Sequence, residues 1–222
     1  MARRVPIAVL ASGRGSNLLA IAEAVRRGEL AVDIRLVLSD RPAAQALARA
    51  HERGIAVQAI PAADYAGRAA HDEALRVAVA AAGAELVVLA GYMRILSPAF
   101  LTAFAGRVLN IHPSLLPELR GLDTHARALA AGARRHGASV HYVTAELDAG
   151  PVIAQAEVPV LESDTPDSLA ARVHEAEYVL YPQVLDWYAH GRLAWRDGSV
   201  WFDERRLAAP LRVPVPAAVV RT

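Results

Sequence analysis

The sequence predicts an α/β fold with a mostly parallel central sheet, helices on both faces and antiparallel strands in the C-terminal half. Apolar runs of strand length alternate with segments whose apolar residues recur at helical spacing. The early strands are apolar without interruption, which is typical of parallel strands buried on both faces. The chain has 222 residues, 54% of them hydrophobic, enough for the core of one sizeable domain.

The first half of the chain alternates strands and helices regularly. A strand at residues 5–11 leads into a glycine loop and a helix that contains Leu18 and Val25, and helices at 42–53 and 68–82 end at Gly54 and Gly83. A short helix begins at Ser97, which can cap it, with a proline in its first turn. The other strands of this half are predicted at residues 34–38, 57–60 and 85–90.

The second half begins with a strand at residues 107–112 that Pro113 stops. Strands at 139–144 and 152–158 flank an Asp-Ala-Gly-Pro turn and are expected to pair antiparallel. Residues 196–199 predict a hairpin turn, and we expect a cis peptide bond before Pro117. Helices are predicted at 124–131 and 168–188, and residues 208–222 form a Pro- and Ala-rich tail. The repeated alternation makes a Rossmann-like sheet, whose ligands bind beyond the carboxyl ends of the strands.

Composition excludes several classes of function. The 24 basic and 23 acidic residues leave a net charge of +1 without a basic footprint, which argues against a nucleic-acid partner. Every basic residue is Arg and there is no Cys, so Schiff-base lysines, thiolate nucleophiles, disulfides and cysteine-ligated metals are excluded. No apolar run approaches the ~20 residues of a membrane span, and the run at 7–11 is too short for a signal peptide. We therefore expect a cytoplasmic protein.

The glycine loop at residues 12–17 is a candidate phosphate site. A tight turn between a strand and a helix exposes backbone N–H groups at the positive end of the helix, and Ser16 and Asn17 add donors. Gly13 and Gly15 lack the third glycine of a dinucleotide fingerprint, and without Lys the loop is not a Walker loop, so a phosphomonoester is favoured. In the alternative interpretation, Ser16 or Asn17 only caps the helix.

The strand at 107–112 carries the candidate catalytic side chains. Strand geometry puts Asn110 and His112 on one face, where burying an amide and an imidazole costs roughly 1–3 kcal/mol each unless they are hydrogen-bonded. An acid is needed to keep His112 charged, and Asp148, in the turn between two strands, is the best candidate by position. The alternatives are a structural histidine and a simple turn residue.

Five features go beyond these general patterns: SGRGSN at 12–17, AGYMRILSP at 90–98, NIHPSLLP at 110–117, HGASVHYVTAELDAGPVI at 136–153, and Glu177 before Tyr181. Together they resemble the glycinamide ribonucleotide formyltransferase family of folate-dependent formyltransferases, over about residues 5–207. NIHPSLLP with the downstream Asp-x-Gly-Pro turn is highly specific for enzymes that use formyltetrahydrofolate. The resemblance implies transfer of a formyl group from 10-formyltetrahydrofolate to the amine of glycinamide ribonucleotide, in purine biosynthesis.

The resemblance also implies roles for individual residues. Gly15, Ser16 and Asn17 would hold the ribonucleotide phosphate, and Glu177 would engage its sugar hydroxyls. The family's catalytic trio aligns with Asn110, His112 and Asp148. The residues that would contact the folate are Arg68, Met93, Arg94, Ile95, Leu96, Asn110 and Val143, with the loop from Val143 to Asp148 closing over the pteridine. The expected trio would stabilise the oxyanion formed when the amine attacks the formyl carbon.

On this interpretation residues 1–207 form a single formyltransferase domain, with a phosphate-binding half at about 1–105 and a folate-binding and catalytic half at about 106–207. The substrates are small molecules, the protein is a monomer or homodimer without nucleic-acid or membrane partners, and no metal is expected. The other histidines are predicted to be structural or surface residues; they are His51, His71, His136, His141, His174 and His190.

One stretch departs from the family pattern. Between Pro117 and His125 the family usually has a Lys-Tyr/Phe-Pro-Gly-like stretch followed by a histidine, whereas this chain has Asp123 at the histidine position. An auxiliary histidine role is therefore absent at Asp123, and Arg120 or His125 is the candidate to compensate.

Part of this sequence evidence also fits three alternative functions. The first is the formyl-methionyl-tRNA-forming transferase, which is expected to add a basic C-terminal RNA-binding domain. The second is the formyltetrahydrofolate hydrolase, which is expected to add an N-terminal regulatory domain; the chain length leaves room for neither addition. The third is a non-catalytic nucleotide sensor, although phosphate capture alone needs neither Asn110 nor His112.

Overall fold

The computed structural model describes residues 4–216, and the chain divides into two compact units between Asn110 and Ile111. That division falls inside a strand, a few residues beyond the predicted boundary near residue 105. The organisation as one domain ending at residue 207 stays a prediction.

All strands of the first unit are parallel. Their order is β5-β4-β1-β2-β3, where β1 is Val5–Leu10, β2 Val32–Ser39, β3 Val57–Ala59, β4 Leu86–Leu89 and β5 Val108–His112. The helices are α1 (Ser16–Arg26), α2 (Gln45–His51), α3 (Arg68–Ala81) and α4 (Pro98–Ala103), with one 3-10 turn at Ala62–Asp64. Strand β4 is buried throughout and β1 from Ile7 onward, because parallel strands are covered on both faces.

The second unit carries the antiparallel pairing. Strands β6 (Arg135–Tyr142) and β7 (Val152–Pro159) are antiparallel, and β11 (Leu211–Arg212) runs parallel to β7. A separate antiparallel sheet contains β8 (Leu193–Arg196), β9 (Ser199–Phe202) and β10 (Arg205–Arg206). The helices are α5 (Thr124–Ala130) and α6 (Pro166–Ala189). The predicted fold class is confirmed in its parallel strands, its helices and its C-terminal antiparallel strands.

Helix α2 begins three residues later than predicted. The amide of Ala44 donates to the carbonyl of Arg41 at 3.0 Å, so Pro42 lies in a turn and does not begin the helix. Ala44 has an extended backbone and precedes the first helical residue, Gln45.

Strand β6 begins four residues before its predicted start at Ser139. Gly137 allows this, since a Cβ there would lie 2.0 Å from the carbonyl oxygen of Ala156 on the paired strand. A glycine in a strand often marks such a close backbone approach.

The predicted tail contains structure. Leu211 and Arg212 form β11, whereas residues 217–222 of the predicted tail lie outside the described residues. The hairpin turn between β8 and β9 is confirmed, with left-handed backbones at Asp197 and Gly198, and the Leu116–Pro117 bond is cis as predicted. Among the helices in residues 4–216, none has both the length and the hydropathy of a membrane-spanning segment.

Candidate active site

The glycine loop is built by a close contact between Gly15 and the start of α2. Gly15 has a left-handed backbone at φ 75°, and a Cβ at this position would lie 2.8 Å from both Cα and Cβ of Ala46. The amide of Ala46 also donates to the carbonyl of Gly13 at 3.1 Å. A glycine is therefore required at residue 15 by conformation and by space.

Helix α1 begins immediately after Gly15, so Ser16 and Asn17 are its first two residues. No side chain caps this end and its first turn has no acidic residue, which makes the interpretation of Ser16 or Asn17 as a cap wrong. The first-turn N–H groups of a helix have no partners within it and carry partial positive charge. The geometry therefore suits an anion, and phosphate binding here stays a prediction.

The loop between β4 and α4 carries four of the predicted folate contacts. Its amides are anchored at each end: Met93 N–H donates to Ser12 Oγ at 2.9 Å, and Ser97 N–H donates to the Asp72 carboxylate. Met93 and Ile95 are 58% and 49% exposed, which is unusual for large apolar side chains. The remaining members of the predicted folate set in this unit are the half-buried Arg94, the buried Leu96, Asn110 of β5, and Arg68, the exposed first residue of α3.

Strand β5 places Asn110 and His112 two residues apart at its carboxyl end. Asn110 pairs with Leu89 of β4 and is half-buried, whereas His112 is 6% exposed. The Nδ1 of His112 lies 3.4 Å from Asp148 Oδ2, and its Nε2 lies 3.0 Å from the carbonyl oxygen of Leu119. Since each ring nitrogen faces an acceptor, both contacts are favourable only when each nitrogen carries a proton.

Asp148 lies in the turn between β6 and β7 with a left-handed backbone at φ 48°. Its Oδ2 also accepts a hydrogen bond from the amide of Gly121 at 3.0 Å, and its side chain is 9% exposed. The structure thus brings together His112 and Asp148, as the sequence predicts from their positions. Their catalytic roles stay predictions.

His141 is a member of this cluster that the sequence interpretation missed. It lies on β6 as expected, yet its Nε2 is 3.8 Å from Asp148 Oδ1 and its Nδ1 is 2.8 Å from the carbonyl oxygen of Tyr142. Burial lowers the pKa of His141, against the opposite effects of the Tyr142 carbonyl and Asp148. The sequence feature that could have predicted its role is its position at the carboxyl end of a strand, seven residues before Asp148.

The remaining predicted residues occupy separate positions in the second unit. Val143 directly follows β6 and is half-buried, and Glu177 is buried in the middle of α6. His125 Nδ1 lies 3.2 Å from His136 Nε2, and Arg120 forms an ion pair with Glu146. Within residues 4–216 no three His, Cys, Asp or Glu side chains are arranged to hold a metal ion.

Comparison with known proteins identifies the family. Residues 5–185 match the family described as "Formyl transferase". The chain is 48% identical to the phosphoribosylglycinamide formyltransferase of Escherichia coli (strain K12) over 201 residues, covering 90% of this chain and 95% of the relative. Among solved structures, the phosphoribosylglycinamide formyltransferase of Coxiella burnetii superposes with a TM-score of 0.92 at 46% identity, covering 96% of this chain and 100% of that one. A formyltetrahydrofolate deformylase from Pseudomonas syringae pv. tomato superposes with a TM-score of 0.82 at 30% identity, covering 90% of this chain and 66% of that one. The chain belongs to the formyl transferase family.

Proposed function

We propose that this protein transfers the formyl group of 10-formyltetrahydrofolate to the amine of glycinamide ribonucleotide in purine biosynthesis. The products are formylglycinamide ribonucleotide and tetrahydrofolate. The observation that carries the proposal is the 3.4 Å contact between His112 and Asp148 at the end of the strand that also holds Asn110. The 48% identity to the Escherichia coli enzyme supports glycinamide ribonucleotide as the acceptor.

The proposed chemistry uses hydrogen-bond donors rather than a covalent intermediate on the protein. As the amine nitrogen bonds to the formyl carbon, negative charge develops on the formyl oxygen, and the bond from that carbon to the folate nitrogen then breaks. The amide of Asn110 can donate to that oxygen, and a protonated His112 can stabilise the charge electrostatically, since its ring nitrogens face Leu119 and Asp148. The amine loses one proton and the folate nitrogen gains one, through His112 or through water.

Substrate binding is assigned to individual residues of the predicted set. Gly15, Ser16 and Asn17 bind the ribonucleotide phosphate at the start of α1, where no acidic side chain opposes an anion. Glu177 engages the sugar hydroxyls. The exposed apolar side chains of Met93 and Ile95 offer apolar surface to a folate ring system, since small-ligand sites are largely apolar.

Arg68, Arg94, Leu96, Asn110 and Val143 complete the proposed folate contacts. The proposal also places the protein in the cytoplasm, as a monomer or homodimer acting on small molecules. No metal takes part.

Hydrolysis of formyltetrahydrofolate is the second candidate reaction, because the deformylase from Pseudomonas syringae shares the fold at a TM-score of 0.82. In that reaction water replaces the ribonucleotide amine as the nucleophile. The identity of 30%, against 48% to the formyltransferase, favours the ribonucleotide as acceptor.

The deciding experiment follows tetrahydrofolate formation from 10-formyltetrahydrofolate, with and without glycinamide ribonucleotide, in wild type and His112→Ala. Turnover that requires the ribonucleotide and disappears in the variant supports the proposal. Turnover without ribonucleotide indicates a hydrolase, and binding without turnover indicates a nucleotide sensor.

A further inference from the structure

The two ends of one three-residue segment, Leu119 and Gly121, contact the two members of the His112–Asp148 pair. The carbonyl oxygen of Leu119 lies 3.0 Å from His112 Nε2, and the amide of Gly121 donates to Asp148 Oδ2 at 3.0 Å. Leu119 and Gly121 both have left-handed backbones, at φ 54° and φ 81°. The segment 119–121 therefore presents a carbonyl to one member of the pair and an amide to the other.

Arg120 lies between these two contacts and reaches the turn that carries the acid. Its Nη1 is 2.8 Å from Glu146 Oε1, and Glu146 precedes Asp148 by two residues. The carbonyl oxygen of Arg120 accepts a hydrogen bond from Arg127 Nη1 at 2.6 Å, which fixes the segment to α5. The ion pair therefore joins the Asp148 turn to a segment that is itself anchored.

The backbone conformation of Asp148 is one that an ion pair at this turn would help to maintain. Left-handed backbone is uncommon for residues other than glycine, although aspartate adopts it more readily than most. A residue in this conformation persists only where its surroundings hold it. The contacts that hold the turn include the hydrogen bond from Gly121 to Asp148 and, two residues away, the ion pair of Glu146 with Arg120; within the turn the Ala149 amide also donates to the Glu146 carbonyl at 3.4 Å.

We propose that Arg120 is a positioning residue, whose ion pair with Glu146 fastens the Asp148 turn and keeps the carboxylate against His112. The inference rests on the formyl transfer proposed above. Arg120 lies in the stretch where this sequence departs from the family's usual pattern. The ion pair of Arg120 with Glu146 is therefore a feature of this sequence and not of the family pattern. Its contribution is modest because the side chains of Arg120 and Glu146 are 40% and 74% exposed, and exposed ion pairs are screened by salt.

The test compares steady-state kinetics of wild type, Arg120→Gln, Glu146→Gln and the double variant at low ionic strength. Each single variant should lower kcat by about 1.5- to 5-fold, the range that follows from typical exposed ion pairs. KM for the ribonucleotide should stay unchanged, and the double variant should lose no more than the single ones. Arg120→Lys should retain part of the rate, and added salt should bring wild type towards Arg120→Gln.

Two comparisons separate positioning from a general effect of charge. The substitutions at Arg120 and Glu146 change net charge in opposite directions, so a general field effect would move kcat in opposite directions, whereas positioning lowers it in both. Arg196→Gln is the matched control, because Arg196 pairs with Glu204 at 2.7 Å with side chains 43% and 75% exposed, on the β8–β9 hairpin and its continuation. It should keep the wild-type kcat.

Hydrogen exchange of the Gly121 amide tests the same inference without turnover. Its N–H donates to Asp148, so exchange should be faster in Arg120→Gln than in Arg196→Gln. Equal exchange and equal kcat in these two variants would overturn the role of Arg120. If wild type lacks ribonucleotide-dependent turnover while Arg120→Gln still accelerates exchange, the proposed function fails and the positioning contact stands.

Discussion

At the scale of single residues, the environment of His112 determines what a change at Asp148 should do. One ring nitrogen faces the Leu119 carbonyl and the other faces the Asp148 carboxylate, so the aspartate places a carboxylate directly against the ring. Asp148→Asn keeps the size of the side chain and an oxygen that can accept from Gly121. We expect native stability and a kcat lowered by about 100- to 1000-fold, the cost of losing such a stabilising group.

Thermal unfolding and steady-state kinetics check this prediction together. Asp33→Asn is a suitable control, since Asp33 pairs with Arg35 on the exposed part of β2. Wild-type turnover in Asp148→Asn would refute the role of the carboxylate.

Gly15 allows the packing of the glycine loop to be tested with a control from the same loop. Gly15→Ala adds a Cβ 2.8 Å from the Ala46 backbone at a left-handed position, whereas Gly13→Ala meets nothing within 4 Å and is not left-handed. We expect Gly15→Ala to lose about 1–3 kcal/mol of unfolding free energy and to raise KM for the ribonucleotide. Chemical denaturation should show almost no loss for Gly13→Ala; similar losses in both would show that the contact with Ala46 is unimportant.

At the scale of elements, strand β11 is short, with two residues, yet it pairs with the edge strand β7 of the main sheet. Leu211 and Arg212 cover the edge of β7, and Val213 N–H donates to the carbonyl of Gln155 at 2.9 Å. The side chain of Gln155 donates to the carbonyl of Leu116 at 2.8 Å and to Ser139 Oγ at 3.0 Å. The terminal strand is thus linked to the loop that follows β5.

Removing residues 208–222 should therefore destabilise the second unit. The deletion uncovers the edge of β7 and removes one wall of a cavity of about 420 Å³ that Asp148 also lines. We expect Tm to fall by about 5 °C or more, from a loss of about 2 kcal/mol at 2–4 °C per kcal/mol for a chain of this size. Deletion of 217–222 alone keeps residues 208–216 in the chain and is the control; equal Tm values for the two truncations would contradict the prediction.

The elements differ in how far the sequence predicts them, for physical reasons. The strands of the first unit are predicted well because buried parallel strands are continuous apolar runs. Strand β11 has only two residues, Leu211 and Arg212, which are too few to show a periodic pattern. The start of β6 was not predicted because Gly137 is not a typical strand residue; it is there because the backbone of Ala156 lies too close for a side chain.

In the candidate site, too, the sequence predicts some features and not others. Asn110, His112 and Asp148 can be proposed from side-chain type, strand position and motif. The contacts from the Leu119 carbonyl and the Gly121 amide come from the backbone and leave no side-chain pattern. His141 was missed because a histidine on a buried strand is ordinarily structural, and only the fold brings its ring near Asp148.

At the scale of the whole molecule, the buried histidines connect stability to pH. His136 is 2% exposed, and its ring meets that of His125 edge to face at a centroid distance of 5.2 Å. Burial lowers the pKa of each ring to about 4, with smaller contributions from neighbouring histidines. Both rings are therefore neutral in the folded protein at neutral pH.

The direction in which pH changes the free energy of unfolding follows from the unfolded state, where a histidine has a pKa of about 6.5. Between that value and about 4 the unfolded chain binds protons that the folded chain does not, so stability falls as pH falls through this range. From pH 7 to pH 5 each neutral ring contributes a loss of roughly 2 kcal/mol. The loss levels off below about pH 4, where the folded rings also take up protons.

His136→Gln separates this effect from other titrations, because it removes one of the two rings and leaves the other in place. Urea unfolding at pH 7 and pH 5 gives the loss of unfolding free energy for each protein. We expect the loss to be smaller in His136→Gln by roughly 2 kcal/mol, whatever the variant's stability at pH 7. An identical loss in both proteins would mean that burial of His136 does not couple folding to protonation, and that acid sensitivity arises elsewhere in the chain.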